Sequence, residues 1–176
     1  VGLQGDREPA AVFRSSGTTS ESRATHIFPT LSFYARSARL GARILHGFSG
    51  ERAVSLIPPY AQRRDSSLSW MISHFAAEGP LSHTTWLPRD PNAPAQPWAA
   101  TVSDAVSSAG PVLVFATTFA LADWLEAMRR PLALPAGSRI MHTGGYKGMR
   151  REIRAADLAQ RVTEKTGAPL WAEYGM

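Results

Sequence analysis

The chain has 176 residues, 44% of them apolar, which is one ordinary domain of ~100–200 residues with enough apolar surface to fill a core and excludes intrinsic disorder. Nineteen basic and fourteen acidic side chains leave a formal charge of +5, a surplus that suits an anionic ligand without choosing among nucleotide, nucleic acid and membrane headgroup. The absence of cysteine excludes disulfides, thiolate metal sites and a cysteine nucleophile within these residues, and leaves cytoplasm only as the default compartment.

Lys147 and Lys165 are the only lysines among the cations; the arginine bias fits a GC-rich genome as well as any demand for phosphate binding. No apolar run approaches the ~18 residues of a spanning helix, because Pro58, Pro59, Gly79, Pro80 and Gly110 interrupt the candidates. The chain opens on Val1 with no basic head and apolar stretch of the signal-peptide kind, so the true N-terminus is expected to lie upstream.

In chain order, residues 11–14 and 24–28 are short strand-like runs on either side of a hydroxyl-rich loop, Ser15 to Ser22. Thr30 is placed to cap a helix that carries Leu31, Tyr34 and Ala38 on one stripe and Phe33, Leu40 and Ile44 on the next, with Gly47 as its stop. Residues 53–57 read as a buried strand ended by Pro58 and Pro59. Asp65 or Ser66 then caps a helix presenting Leu68, Ile72 and Phe75, closed by Gly79 and Pro80.

From His83 to Pro97 the composition predicts a surface excursion, followed by a short helix over 98–108. Residues 112–116 form a continuous apolar strand, and beyond Thr117 the residues Leu121, Trp124, Leu125 and Met128 recur at helical spacing. A strand over 139–143, a helix over 155–166 with Leu158 and Val162 inward and Gly167 as its stop, and a strand over 169–173 complete the series. The fold class expected is α/β, a mainly parallel sheet flanked by helices, with ligands gathering at the carboxyl ends of the strands.

Two loops carry most of the chemistry. In Ser15-Ser16-Gly17-Thr18-Thr19-Ser20-Glu21-Ser22-Arg23, hydroxyls and backbone N–H groups around a glycine can wrap phosphate oxygens, and Arg23 adds charge. No lysine follows the glycine and the next element reads as a strand, so this is not the GxxxxGK[ST] loop; on composition alone it is also an ordinary flexible loop. Thr143-Gly144-Gly145-Tyr146-Lys147-Gly148 follows a buried strand directly. Its glycines permit close approach of backbone to a ligand, and a plain turn is the alternative.

Other candidates are weaker. The five histidines, His26, His46, His74, His83 and His142, show no HExxH pairing and read as surface or packing residues. Gly47-Phe48-Ser49-Gly50 lacks the GxSxG spacing of a nucleophile elbow. Arg150, Arg151 and Arg154 read as a solvated helix start, with no aromatic RNA-binding motif beside them. Trp70, Trp124 and Trp171 are assigned to the core.

Taken with the ending Glu173-Tyr174-Gly175-Met176, these loops form a pattern. Ser15-Ser16-Gly17-Thr18-Thr19 resembles the phosphate loop of adenylate-forming enzymes, the acyl-CoA synthetase and firefly-luciferase group, and the ending resembles the start of their YGxTE motif. Within that group the segments FRSSGTTSESRATHIF, SLIPPYAQRRDSSLSWMI, VFATTFALADWLE and HTGGYKGMRREI are most similar to the acyl-protein synthetase (LuxE-type) family of long-chain fatty-acid-activating proteins. The resemblance runs from Phe13 to Met176.

The resemblance implies ATP-dependent activation of a carboxylic acid, a fatty acid in this family, with ATP and Mg²⁺ as cofactors and a thiol acceptor on a protein cysteine or acyl carrier. It implies that Ser15, Ser16, Gly17, Thr18 and Thr19 hold the ATP phosphates and that Gly144 and Gly145 line the adenine and acyl-adenylate pocket. Lys147 would lie nearby, Tyr174 would flank the adenine, and Gly175 and Met176 would lie near the α-phosphate.

Arg23 stands where the wider group usually has lysine, which keeps charge and changes geometry. The Thr and Glu that complete the last motif do not appear. That Glu is expected to help hold Mg²⁺, so no metal ligand is assigned here. Residues 1–176 are therefore expected to be part of an N-terminal adenylation domain, with its C-terminal part, the mobile lid and any acyl-accepting cysteine beyond Met176, and to form no acyl-adenylate alone. The alternatives are an acid–thiol ligase of the phenylacetate–CoA ligase type, delivering to coenzyme A, and a catalytically silent relative that binds nucleotide or a partner. Nucleic acid and a membrane span are not expected.

Overall fold

A computed structural model describes residues 8–15, 24–108, 110–143 and 154–172. The chain forms two compact units that exchange segments: one holds Val1–Ser49 and Pro59–Pro80, the other Gly50–Pro58 and Leu81–Met176.

In the first unit, β1 (Ala11–Arg14) and β2 (Thr25–Phe28) form an antiparallel ribbon with Phe13 opposite His26. Two helices accompany it, α1 (Ser32–Ile44) and α2 (Ser67–Glu78). The core of this unit is aromatic. Phe13 is buried with its ring centroid 5.3 Å from Phe28, 6.1 Å from Tyr34 and 6.3 Å from Tyr60. Tyr34 continues the cluster to Trp70 at 5.0 Å, in the tilted geometry that aromatic quadrupoles favour.

Helix α1 departs from expectation at both its cap and its face. Leu31, not Thr30, occupies the cap position, without a side-chain hydrogen bond, and the Thr30 hydroxyl instead meets that of Ser32 at 3.3 Å. The stripe that packs inward carries Tyr34 and Ala42, whereas Phe33 and Ile44 remain 81% and 75% exposed. Gly47 does mark the end: it adopts φ +62°, and its N–H donates to the Arg43 carbonyl at 3.1 Å. Helix α2 is capped by Ser66, whose hydroxyl accepts from the Ser69 N–H at 3.1 Å.

The second unit is a five-stranded sheet in the order β4-β3-β5-β6-β7, built from β3 (Glu51–Ser55), β4 (Leu81–Trp86), β5 (Val112–Thr117), β6 (Arg139–Thr143) and β7 (Leu170–Ala172). Every neighbouring pair is parallel. Three helices, α3 (Ala95–Ser107), α4 (Thr118–Ala127) and α5 (Ala155–Thr166), supply the crossovers after β4, β5 and β6. They bury Val102, Val106, Leu121, Trp124, Leu125, Leu158 and Val162 in one cluster with Val54, Val112, Val114 and Ile140 of the strands. This is the mainly parallel sheet flanked by helices that the sequence predicts.

Four expectations need correction. The surface excursion over His83 to Pro97 is in part strand β4, hydrogen-bonded along β3, and α3 begins at Ala95, three residues before the predicted start. Strand β3 sits two residues earlier than 53–57. Trp124 is fully buried, but Trp70 and Trp171 are only half-buried.

Candidate functional site

In the first unit, the site begins with Ser15 at the end of the ribbon. Its N–H donates to the Ala24 carbonyl at 2.9 Å, and its hydroxyl accepts from the Ala24 N–H at 2.9 Å. Residues nine apart are thereby held together. Arg14 is tied down as well, its N–H donating to the Asp65 carbonyl at 2.8 Å. Ser15 thus ties the end of β1 to the residue that precedes β2. Ser16, Gly17, Thr18, Thr19 and Arg23 lie outside the described residues.

In the second unit, the sheet order itself locates a crevice. The chain leaves β3 for β4 on one side and leaves β5 for β6 on the other, so the topological switch lies between β3 and β5, at whose carboxyl ends open α/β sheets bind ligands. Ser55 ends β3, where its hydroxyl donates to the Ile57 carbonyl at 2.8 Å and accepts from the Ile57 N–H at 3.2 Å. That local ring turns the chain out of the ladder before Pro58. Thr117 ends β5, and its hydroxyl accepts from the Ala120 N–H at 3.2 Å as the cap of α4.

Beside them, at the end of β6, His142 is buried and its Nδ1 lies 3.2 Å from the Thr118 hydroxyl. Burial pushes the imidazole below its ordinary value of 6.5 and so favours the neutral ring. By residue type and spacing alone this histidine reads as a surface or packing residue. The signal that could have found it is its place directly before Thr143-Gly144-Gly145.

Gly144, Gly145 and Lys147, like Tyr174, Gly175 and Met176, lie outside the described residues. The strands that lead to them do not. Strands β6 and β7 are side by side with His142 opposite Ala172, so both motifs begin at neighbouring strand ends. Arg154 pairs with Asp157 at 2.8 Å on the exposed start of α5, as expected of a solvated helix start. Among the described residues no three His, Cys, Asp or Glu side chains come together to hold a metal ion, and no helix is long and apolar enough to cross a membrane.

The parallel five-stranded sheet with its flanking helices matches part of the fold of the N-terminal domain of adenylate-forming enzymes. No protein-family model and no curated protein matches the chain. Solved structures do. Against ATP-bound MatB from Rhodopseudomonas palustris the TM-score is 0.63 at 16% identity, over 98% of this chain and 30% of that one. Against the unliganded O-succinylbenzoate coenzyme A synthetase MenE from Bacillus subtilis it is 0.54 at 17% identity, over 96% and 29%. Against the anthranilate CoA ligase AuaEII in complex with anthranoyl-AMP it is 0.52 at 15% identity, over 90% and 27%. The chain therefore spans less than a third of the length of these structures, and at such identities the likeness is one of fold.

Proposed function

We propose that the chain forms part of the N-terminal adenylation domain of a larger enzyme that activates a carboxylic acid with ATP and passes the acyl group to a thiol. The observation that best supports this is the agreement of sheet order with motif order. The motifs that begin at Gly144 and at Tyr174 follow two adjacent parallel strands, on the side of the sheet where this architecture takes ligands. The resemblance of the sequence to long-chain acyl-protein synthetases favours a fatty acid and a protein thiol.

The chemistry makes modest covalent demands on the protein. A carboxylate oxygen attacks the ATP α-phosphorus, an acyl–O–P bond forms, and the bond to the β-phosphate oxygen breaks to release pyrophosphate. A thiolate then attacks the acyl carbonyl carbon, the thioester forms, and AMP leaves. The first step needs in-line positioning and donors for the developing charge. In this reading the hydroxyls and N–H groups of Ser16 to Thr19, with Arg23, hold the phosphates, and Ser15 contributes at most its hydroxyl because its N–H is bonded to Ala24. Gly144 and Gly145 line the adenine and acyl-adenylate pocket, Tyr174 flanks the adenine, Gly175 and Met176 lie near the α-phosphate, and Lys147 lies nearby. The described residues offer Mg²⁺ no cluster of ligands.

Delivery to coenzyme A is the second reading, favoured by the likeness to the O-succinylbenzoate coenzyme A synthetase and the anthranilate CoA ligase. Trapping the acceptor with labelled acid separates the two: the acyl chain appears on protein in the first case and on coenzyme A in the second.

A further inference from the structure

His142 is the penultimate residue of β6 and Thr118 the first residue of α4. The two are 24 residues apart in sequence, 3% and 1% exposed, and in contact at 3.2 Å between Nδ1 and the hydroxyl oxygen. In the ladder His142 lies opposite Ala116 and Thr143 opposite Thr117, so the contact bridges the last step between β5 and β6 before the chain reaches Gly144. Its neighbours on both strands, Phe115, Ala116, Ile140 and Met141, are apolar and buried. In such surroundings an imidazole and a hydroxyl are costly to bury unless paired, and an apolar pair would fill the space without that cost. A local departure from the apolar rule at the ligand-binding edge of a parallel sheet is where function is to be sought.

We propose that His142 and Thr118 are a pair of positioning residues for the adenylation site. Their hydrogen bond fixes the first turn of α4 to the end of β6 and so sets where the backbone at Thr143 leaves the sheet. The inference rests on the adenylation reading above. The pair hands no proton to substrate; it acts through the backbone that it holds. The neutral imidazole has one bare nitrogen and one N–H, so Nδ1 accepts from the Thr118 hydroxyl or donates to it according to the tautomer.

The test is acid-dependent ATP–pyrophosphate exchange by the full-length gene product that contains these residues, read as KM for ATP and as kcat, with melting temperature alongside. His142→Leu and Thr118→Val should each raise the KM for ATP about tenfold, inside the roughly hundredfold that a misplacement of about 1 Å can cost, and the double variant should be no worse than the worse single one. His142→Asn, whose amide keeps a polar atom near the Nδ1 position, and Thr118→Ser should recover most of the loss. Val106→Ala, at a buried position of α3 within the apolar cluster, should lower the melting temperature and leave the KM where it was.

An unmoved KM in both His142→Leu and Thr118→Val, with only the melting temperature lowered, overturns the positioning role, as do additive effects in the double variant. Should His142→Leu fail to fold, the near-isosteric Thr118→Val carries the decision. Wild-type protein that exchanges with no acid ends the adenylation reading and this role with it. Exchange by wild type with unmoved variants ends the role alone.

Discussion

Arg139 at the start of β6 and Glu51 at the start of β3 are joined by a 2.7 Å ion pair that reaches across β5, with the Arg139 guanidinium 5.1 Å from the Trp171 ring centroid. Both side chains are mostly buried, at 19% and 17% exposure, and they lie on the sheet face opposite the one that packs on α3, α4 and α5. Breaking one partner of a partly buried pair leaves the other charge uncompensated. Glu51→Gln is therefore expected to lower unfolding stability by about 1–3 kcal/mol, read by urea denaturation. Because the pair sits at the amino ends of the strands, away from the carboxyl edge, the KM for ATP should not move.

The apolar cluster predicts a larger loss. Trp124 is fully buried among α3, α4 and the strands, and its indole N–H donates to the Ser103 hydroxyl at 3.2 Å. Trp124→Ala should cost about 3–5 kcal/mol, from lost transfer energy and the cavity left behind. Trp124→Phe keeps most of the volume and should cost clearly less. Denaturation of the two variants side by side checks the order.

Two glycines after helices should respond differently to alanine. At Gly79 a Cβ would come within 2.6 Å of the Phe75 Cα, a backbone atom, so the end of α2 must move to accept it. At Gly167 an added Cβ would point into open space, and only the left-handed φ of +66° resists. Gly167→Ala should cost about 1–2 kcal/mol and Gly79→Ala more, as ordered by their melting temperatures.

Stability should depend on pH through two histidines. Burial pushes His142 below 6.5; His74 is lowered by burial and, to a lesser degree, by Arg39, with Glu78 opposing. The folded state then binds fewer protons than the unfolded state just below the ordinary histidine range, so stability rises with pH there. The contribution is fully present above the unfolded value and is lost as pH falls. Between about pH 7.5 and about pH 5.5 the melting temperature should fall, and the fall should be smaller in His142→Asn.

Much of the second unit was legible because β5 is a continuous apolar run, β6 carries Ile140 and Met141 at its centre, and α4 and α5 repeat apolar residues at helical spacing. Strand β4 was not legible. It is an edge strand, and Ser82, His83, Thr84 and Thr85 give it no buried face to read. The first residues of β3 were missed for a related reason. Glu51 and Arg52 look like loop, yet Glu51 pairs with Arg139, and the Arg52 guanidinium donates to the carbonyls of Ala105, Ser108 and Gly110 at 2.8, 3.2 and 3.4 Å.

The site divides in the same way. A hydroxyl-rich loop and a glycine pair can be read from local composition. The clamp between Ser15 and Ala24 and the bond between His142 and Thr118 join residues that only the folded chain brings together.

The measurement that bears most directly on the account is carboxylate-dependent ATP–pyrophosphate exchange by the full-length gene product, run across short, aromatic and long-chain acids, with residues 1–176 alone and a full-length Ser16→Ala/Thr18→Ala variant as controls. The account predicts exchange with one class of acid, the long-chain class by sequence resemblance, and its loss in both controls. A folded full-length protein that exchanges with no acid would contradict it and leave a silent nucleotide or partner binder in its place.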